Sequence, residues 1–425
     1  MKICIYRGTD EVGGNCVEIS TDTTRIILDV GTPLSSMEMR APYARGAYRQ
    51  WLARFRTGVT GLYSGDDCAP VDAVFISHNH GDHYGLLPLV RGDVPVFTSP
   101  TLRQILTEIE PLKGARFDVS HLDIHDIVAG HAVTIGDLTV TAHPVDHSPA
   151  AMAFEITDGR TRVLYTGDIR FHSTQAYRSI QLATNVKNPD YLIMEGTRLS
   201  RDDVPDAFPT ELSVRRALTE LFSASGRLAF ICLSAQNLDR LCSLFSACRR
   251  AGRTLVIKPY TAELLRIFHE LSPRVPRADT AAFIRVFYGD KTHGVNARMG
   301  RVGMLDRYAD REITMDEIIA NPAQFVVEHN YELTDELIAG GIVDYDYVYS
   351  MWHGYLDRQS TWDAYKDHLI EIHSSGHAMT RHLKRFVHEI APRVIIPIHT
   401  ECKDKYYDTF GVPTLVLQDN ESKEL

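Results

Sequence analysis

Short apolar runs and strict apolar/polar alternation dominate the first 200 positions, and both are strand signals. Met1 to Arg7 reads as a first strand. Cys16–Ser20 and Arg25–Val30 follow as a pair split by the polar turn Thr21–Thr24. Residues 31–70, with Pro33, Pro42 and several Gly and Arg, read as a loop holding one helix around Tyr48–Arg56. Val71–Ile76 is a strand, and a helix is predicted over Gly85–Val90. Val96–Thr98 is a short strand, and Ser99-Pro100 opens a helix over Thr101–Glu108. Further strands are predicted at His131–Ile135, Leu138–His143, Ala151–Ile156, Arg162–Thr166 and Tyr191–Met194.

The period changes near residue 208. Helical spacing over Pro209–Ala224, Asn237–Ala251 and Thr261–Leu271 alternates with strand-like runs at Arg227–Cys232, Thr254–Ile257, Gln324–Glu328 and Tyr345–Met351. That alternation predicts an open, mainly parallel α/β domain. The stripe Leu238, Leu241, Leu244, Phe245 is core spacing. Near residue 366 the first pattern returns: Ile370–Ile372, a helix over Met379–Ile390, then Val394–Ile398. The predicted organisation is therefore a first domain over 1–200, an insertion over 201–365, and a return to the first domain over 366–425.

Composition changes this picture little. The chain has 425 residues, 44% hydrophobic and 24% charged, as in ordinary globular proteins. No apolar run reaches the length of a membrane span, and Met1–Arg7 lacks a signal-peptide stretch. Seven scattered cysteines, none in a C-x-x-C pair, predict reduced thiols and a cytoplasmic protein. The net charge of −10 argues against a non-specific nucleic-acid coat protein. It leaves open an enzyme with a local basic groove or bound cations.

The chemistry concentrates at strand ends. Directly after Val71–Ile76 comes Ser77-His78-Asn79-His80-Gly81-Asp82-His83, three histidines and an aspartate in six positions. Neutral imidazole and carboxylate are the ligands of zinc and similar ions, and His78 with His80, and Asp82 with His83, can begin two adjacent sites. Asp29, His147, Asp168, Glu195, His377 and His399 sit at or just beyond other strand ends. A consistent allotment puts His78, His80 and His147 on one ion and Asp82, His83 and His399 on a second. Asp168 bridges them, because a carboxylate has two oxygens to offer. His143, four residues before His147, is the competing ligand. Glu195 and His377 read as non-ligands: a histidine oriented by a carboxylate is a usual donor of the proton an alkoxide leaving group needs. Asp82, Glu195 and His377 are thus the catalytic candidates. The turn His373-Ser374-Ser375-Gly376 before a helix presents groups that suit a phosphate, with His373 and Ser375 as candidates.

These pieces carry a family resemblance. Asp29, the H-x-H-x-D-H run, Asp146-His147-Ser148, Thr166-Gly167-Asp168-Ile169-Arg170, Met194-Glu195-Gly196-Thr197, Ser375-Gly376-His377-Ala378 and Pro397-Ile398-His399 resemble the metallo-β-lactamase superfamily, β-CASP branch. Within that branch the chain is similar to ribonuclease J-like metallohydrolases. The resemblance implies an αββα sandwich with an inserted α/β β-CASP domain and the active site in the cleft between them. It implies two divalent ions, zinc by default with Mn2+ as the alternative, and hydrolysis of RNA phosphodiesters, exo- or endonucleolytic. Histidine at position 399 is the residue typical of RNA-directed members, which tilts the reading to RNA; the expected partner is a single-stranded RNA substrate. The chain departs from the family in Thr400-Glu401, where Gly-Glu is commoner, and in a longer 32–70 segment. It ends about 25 residues after His399, without the C-terminal domain that supports oligomerisation in ribonuclease J; a homodimer stays open. The competing reading on the same fold is a hydrolase of a small ester, thioester or nucleotide-like molecule, against which the inserted domain argues. A binding protein with a spent active site is a third, and the intact ligand set argues against it.

Overall fold

The computed structural model describes residues 1–39, 41–42, 44–113, 117–201, 207–289, 302–358 and 360–425. The chain divides into two compact units, Met1–Pro205 with Gly376–Leu425, and Asp206–Ser375.

The first unit is a sandwich of two sheets. One has seven described strands, in the order Glu421–Glu424, Lys2–Arg7, Cys16–Ser20, Arg25–Leu28, Ala73–Phe75, Val96–Thr98 and Ile124–Asp126. The other has six, in the order Val394–Ile398, Tyr191–Glu195, Arg162–Tyr165, Met152–Thr157, Leu138–Pro144 and Ala132–Ile135. Alternation explains why they stack. Along Leu138–Pro144 the residues Leu138, Val140 and Ala142 are buried, and the residues between them are not. They meet Ile3, Ile5, Val17, Ile19, Phe75 and Phe154 in one core between the sheets. Phe75 and Phe154 touch edge to face there, 5.6 Å between centroids. The outer face of the second sheet packs under the helices Tyr177–Asn185 and Thr380–Ile390, through Leu182, Ala183, Leu383, Phe386 and Ile390.

The second unit holds a six-stranded sheet in the order Ile284–Val286, Thr254–Ile257, Phe325–Glu328, Leu228–Cys232, Tyr345–Tyr349 and Leu369–Glu371. Every pairing in it is parallel, as expected from strands alternating with helices. Helix Glu211–Ala224 leads into the first strand, and Leu238–Arg250, Pro259–Leu271 and Tyr331–Ala339 lie in crossovers between strands. Thr210 opens the first with a reciprocal cap to Ser213, and Asn237 caps the second.

Three expectations need correction. Leu369–Glu371 pairs with Tyr345–Tyr349, so the segment 366–375 lies in the second unit rather than in the return. The helix expected over Gly85–Val90 is instead a helical turn at Gly81–Tyr84 followed by a tight turn at Leu87–Leu89, where Pro88 has no N–H to extend a helix. The helix after Ser99 is regular only over Pro100–Gln104 and then widens over Ile105–Ile109. No described helix is long and apolar enough to cross a membrane. All seven cysteines are free thiols.

Candidate metal centre

Six segments of the first unit end at one point. Arg25–Leu28 delivers Asp29, Ala73–Phe75 delivers His78 to His83, Leu138–Pro144 delivers His147, Arg162–Tyr165 delivers Asp168, Tyr191–Glu195 ends on Glu195, and Val394–Ile398 delivers His399. Asp29 and His399 have φ of 60° and 52°, a region disfavoured for any residue with a side chain. The surrounding bonds hold them there: Asp29 N donates to Phe75 O at 2.9 Å, and His399 N to Gly8 O at 2.7 Å. Glycine is required close by. A Cβ at Gly31 would stand 1.7 Å from the Asp82 carbonyl oxygen, and one at Gly13 would stand 2.6 Å from Asp82 Oδ2.

The ligand atoms form three overlapping groups: His78, His80, His147 with Asp168; Asp82, His83 with His399; and Asp168, Glu195, His377 with His399. In the first, His80 Nδ1 lies 3.1 Å from His78 Nε2 and 3.0 Å from His147 Nε2. Asp168 Oδ2 is 3.5 Å from His78 Nε2 and 3.4 Å from His147 Nε2. Four ligands at ~2.0–2.1 Å around a tetrahedral zinc stand about 3.3 Å apart, so these separations fit an ion at the centre. In the second, His399 Nε2 is 3.3 Å from Asp82 Oδ2, and His83 Nε2 is 3.9 Å from it. Asp168 reaches this group too, with Oδ2 3.3 Å from His83 Nε2 and Oδ1 3.6 Å from His399 Nε2. His83 Nε2 and Asp168 Oδ1 are buried without a hydrogen-bond partner among the described residues, as ligands aimed at a cation would be.

Neighbouring bonds decide which imidazole nitrogen carries the proton. His147 Nδ1 faces the Gly376 carbonyl at 2.8 Å, and His83 Nδ1 faces Asp29 Oδ2 at 2.7 Å. Those oxygens only accept, so both histidines donate from Nδ1 and turn the Nε2 lone pair inward. Ser77 Oγ gives its one proton to Asp29 at 2.8 Å and so accepts from His78 Nδ1 at 3.0 Å. Thr197 Oγ1 gives its proton to Glu195 Oε2 at 2.6 Å and accepts from His399 Nδ1 at 2.8 Å. In their neutral form, four of the five candidate ligand histidines thus present Nε2 to the centre of the cluster.

Electrostatics differs across the cluster. Burial, helped by neighbouring imidazoles, drives His78 and His147 well below the usual histidine range, and lowers His80 to about 4. Burial also opposes charge on His83, but Asp168, Asp29 and Asp82 outweigh it and hold its pKa well up. His377 behaves similarly: burial lowers it, Glu195 and Asp168 raise it further, and it stands at about 9. Its Nδ1 lies 3.0 Å from Glu195 Oε2 and 3.8 Å from Asp168 Oδ2. Glu195 is held by Ile169 N at 2.8 Å as well as by Thr197. A divalent cation in the cluster would favour the neutral imidazoles throughout. The partly exposed members are His80, Asp82 and His377, which mark the accessible side.

The structure thus brings together His78, His80, Asp82, His83, His147, Asp168, Glu195, His377 and His399. His143 turns away, its Nε2 3.1 Å from Glu155 Oε2. His373 and Ser375 belong to the second unit, where His373 Nδ1 lies 3.2 Å from the Arg240 guanidinium. Arg240 is buried and paired with Glu211 at 2.7 Å. Sequence reasoning assigned no role to Ser77, Thr197 or Tyr165, whose hydroxyl donates to Asp29 at 2.6 Å. It also left out the buried Arg170–Asp146 pair at 3.3 Å that braces the turn carrying His147. The signal available was position: each lies within two residues of a candidate ligand or strand end.

Residues 46–229 match the beta-lactamase superfamily domain, and residues 366–407 match the Zn-dependent metallo-hydrolase RNA specificity domain. A probable RNase of Methanocaldococcus jannaschii is 26% identical over 243 residues, covering 52% of this chain and 51% of that protein. Transcription termination factor FttA of the same organism is 25% identical over 249 residues, covering 54% of this chain and 36% of its own. The chain therefore spans about half, or less, of the length of these two relatives. Ribonuclease J of Mycoplasma genitalium is 22% identical over 434 residues, covering 95% of this chain and 68% of that protein. A crystal structure of a protein of unknown function from Enterococcus faecalis V583 shares the fold, with a TM-score of 0.77 at 19% identity, over 100% of this chain and 99% of that one.

Proposed function

Because the chain is a metallo-β-lactamase-superfamily protein of the β-CASP, ribonuclease J-like type, we propose that it hydrolyses phosphodiester bonds of single-stranded RNA with two divalent ions. The observation that carries this reading is the pair of ligand groups sharing Asp168, with the His377–Glu195 pair beside them. His78, His80 and His147 would hold one ion, Asp82, His83 and His399 the other, and Asp168 both. The imidazole-rich donor set suits zinc, with Mn2+ as the alternative. Ions bound there would supply Lewis acidity, bringing the pKa of water toward neutrality and offsetting charge on the phosphate oxygens.

The chain's own groups do the rest. Asp29, Ser77, Thr197 and the Gly376 carbonyl orient the ligating imidazoles, so little rearrangement is needed at the moment of reaction. Asp168, buried between both groups, keeps them at a common distance. His377 gives Nδ1–H to Glu195 and turns Nε2 toward the leaving oxygen, which it protonates. Glu195, 3.0 Å from His377 Nδ1, favours the protonated ring and so opposes the pull of the cations toward neutral imidazole. The match of residues 366–407, which include His399, to an RNA specificity domain supports RNA over other esters. His373 and Ser375 are proposed to contact substrate phosphate.

The test is one single-stranded RNA labelled at either end, with a 5′-monophosphate and a 5′-triphosphate form, beside a chromogenic ester. Cleavage of RNA that a chelator abolishes and zinc or manganese restores is the expected result. The end-label pattern separates exonucleolytic from endonucleolytic cutting. Metal-loaded protein that hydrolyses the ester and leaves RNA intact would overturn the reading.

A further inference from the structure

The helix Thr380–Ile390 begins three positions after His377. Its apolar positions Leu383, Phe386, Val387 and Ile390 are buried against the second sheet. Its other face carries Arg381, Lys384, Arg385 and His388, spaced i, i+3, i+4 and i+7, all exposed. Arg381, Lys384 and Arg385 form no ion pair among the described residues. The helix's one acid, Glu389, is 3.5 Å from Lys187 at the far end. In a chain of net charge −10, unneutralised like charges on one face repel each other and call for a polyanion.

Two further observations give the stripe a direction. It starts at the cluster: Ala378 N donates to Ile169 O at 2.8 Å, and Ile169 N donates to Glu195 Oε1 at 2.8 Å. Half-buried His382 sits in the first turn, its ring 5.8 Å from His172 and 5.9 Å from Phe171. Arg381, Arg198 and Arg385 all bear on it, and Arg198 follows Thr197 of the cluster. The neighbouring helix Tyr177–Asn185 shares the same core and exposes Tyr177 and Ile180, 53% and 50% accessible. Exposed aromatic and aliphatic surface beside unpaired cations is what a single strand uses, bases on the rings and phosphates on the charges.

We propose that this face, Arg381, Lys384 and Arg385 with Tyr177 of the neighbouring helix, is a track for the RNA strand outside the scissile position. This rests on the nuclease reading. The track raises affinity for long substrates and leaves the chemical step alone.

The experiment compares the full chain with the triple variant Arg381→Ala, Lys384→Ala, Arg385→Ala on single-stranded RNAs of about 4 and about 20 nucleotides. The expected result is a KM for the long RNA raised ~10-fold or more, with kcat and the short-RNA rate unchanged. The slope of log affinity against log salt should fall by about 2, at about 0.7 for each phosphate no longer neutralised. Arg381→Lys with Arg385→Lys should restore the long-RNA KM. Wild-type KM and salt slope in the alanine variant would overturn the proposal, even if the face then binds an acidic protein. Wild-type protein that neither binds nor cuts RNA would instead remove the nuclease reading, and the track with it.

Discussion

The two halves of the metal centre use similar groups in opposite electrostatic settings. His80 lies 3.1 Å from His78 and 3.0 Å from His147, and burial drives all three pKa values down, so beside Asp168 this half consists of neutral donors. His83 stands among Asp29, Asp82 and Asp168, which hold its proton firmly when no cation is near. On the proposed two-ion reading, the first half could take an ion as it stands, whereas the second carries more negative charge and would give up a proton to bind one. Asp168 belongs to both groups.

The largest effect should come from the shared group. Asp168→Asn should release or disorder both ions and lower RNA cleavage by on the order of 10³-fold or more, since several kcal/mol of charge stabilisation is lost. Metal content should fall below one ion per chain. Asp82→Ala touches only the second half. It should leave one ion on the histidine triad with the fold intact, while cleavage still falls by at least ~10²-fold. A variant that cuts RNA at the wild-type rate would disprove the assignment of Asp82.

Orienting groups should matter less. Thr197→Val removes the acceptor for His399 Nδ1 and the donor to Glu195, so kcat should fall by about 10- to 100-fold with little change in KM. Ser77→Ala should affect the first half through His78. The smallest effect is in pH. A ligand with a raised pKa meets proton competition at higher pH than one with a lowered pKa. As pH falls from 8, the ion at His83 should therefore leave first. The ion at His80, whose pKa is about 4, should persist to lower pH. Metal retained on a desalting column at stepped pH measures the order, and simultaneous loss would erase the contrast between the halves.

How much of this could be read from the chain follows from what each residue depends on. The run His78–His83 is local, and its ligand pattern stands in six consecutive positions. His147, Asp168 and His399 were legible because each follows an apolar strand, and strand ends converge in a sandwich. Ser77, Thr197 and Tyr165 were not, because their roles exist only through tertiary hydrogen bonds to Asp29, Glu195 and His399. The need for glycine at 13 and 31 appears only when Asp82 is in place. The parallel α/β sheet of the second unit was plain from its alternating periods. Its last strand, Leu369–Glu371, reads in the sequence as part of the return, because a three-residue strand carries no period and pairing alone decides its sheet. The helix Tyr177–Asn185 escaped for a related reason: it buries only Ser179, Leu182 and Ala183, too short a stripe to stand out.

The most direct measurement is the metal content of the purified chain by elemental analysis, beside that of Asp82→Ala. Two divalent ions per chain are expected in the wild type and one in the variant, with the same circular dichroism spectrum. One ion or none in fully loaded wild-type protein, or two in Asp82→Ala, would contradict the two-ion reading.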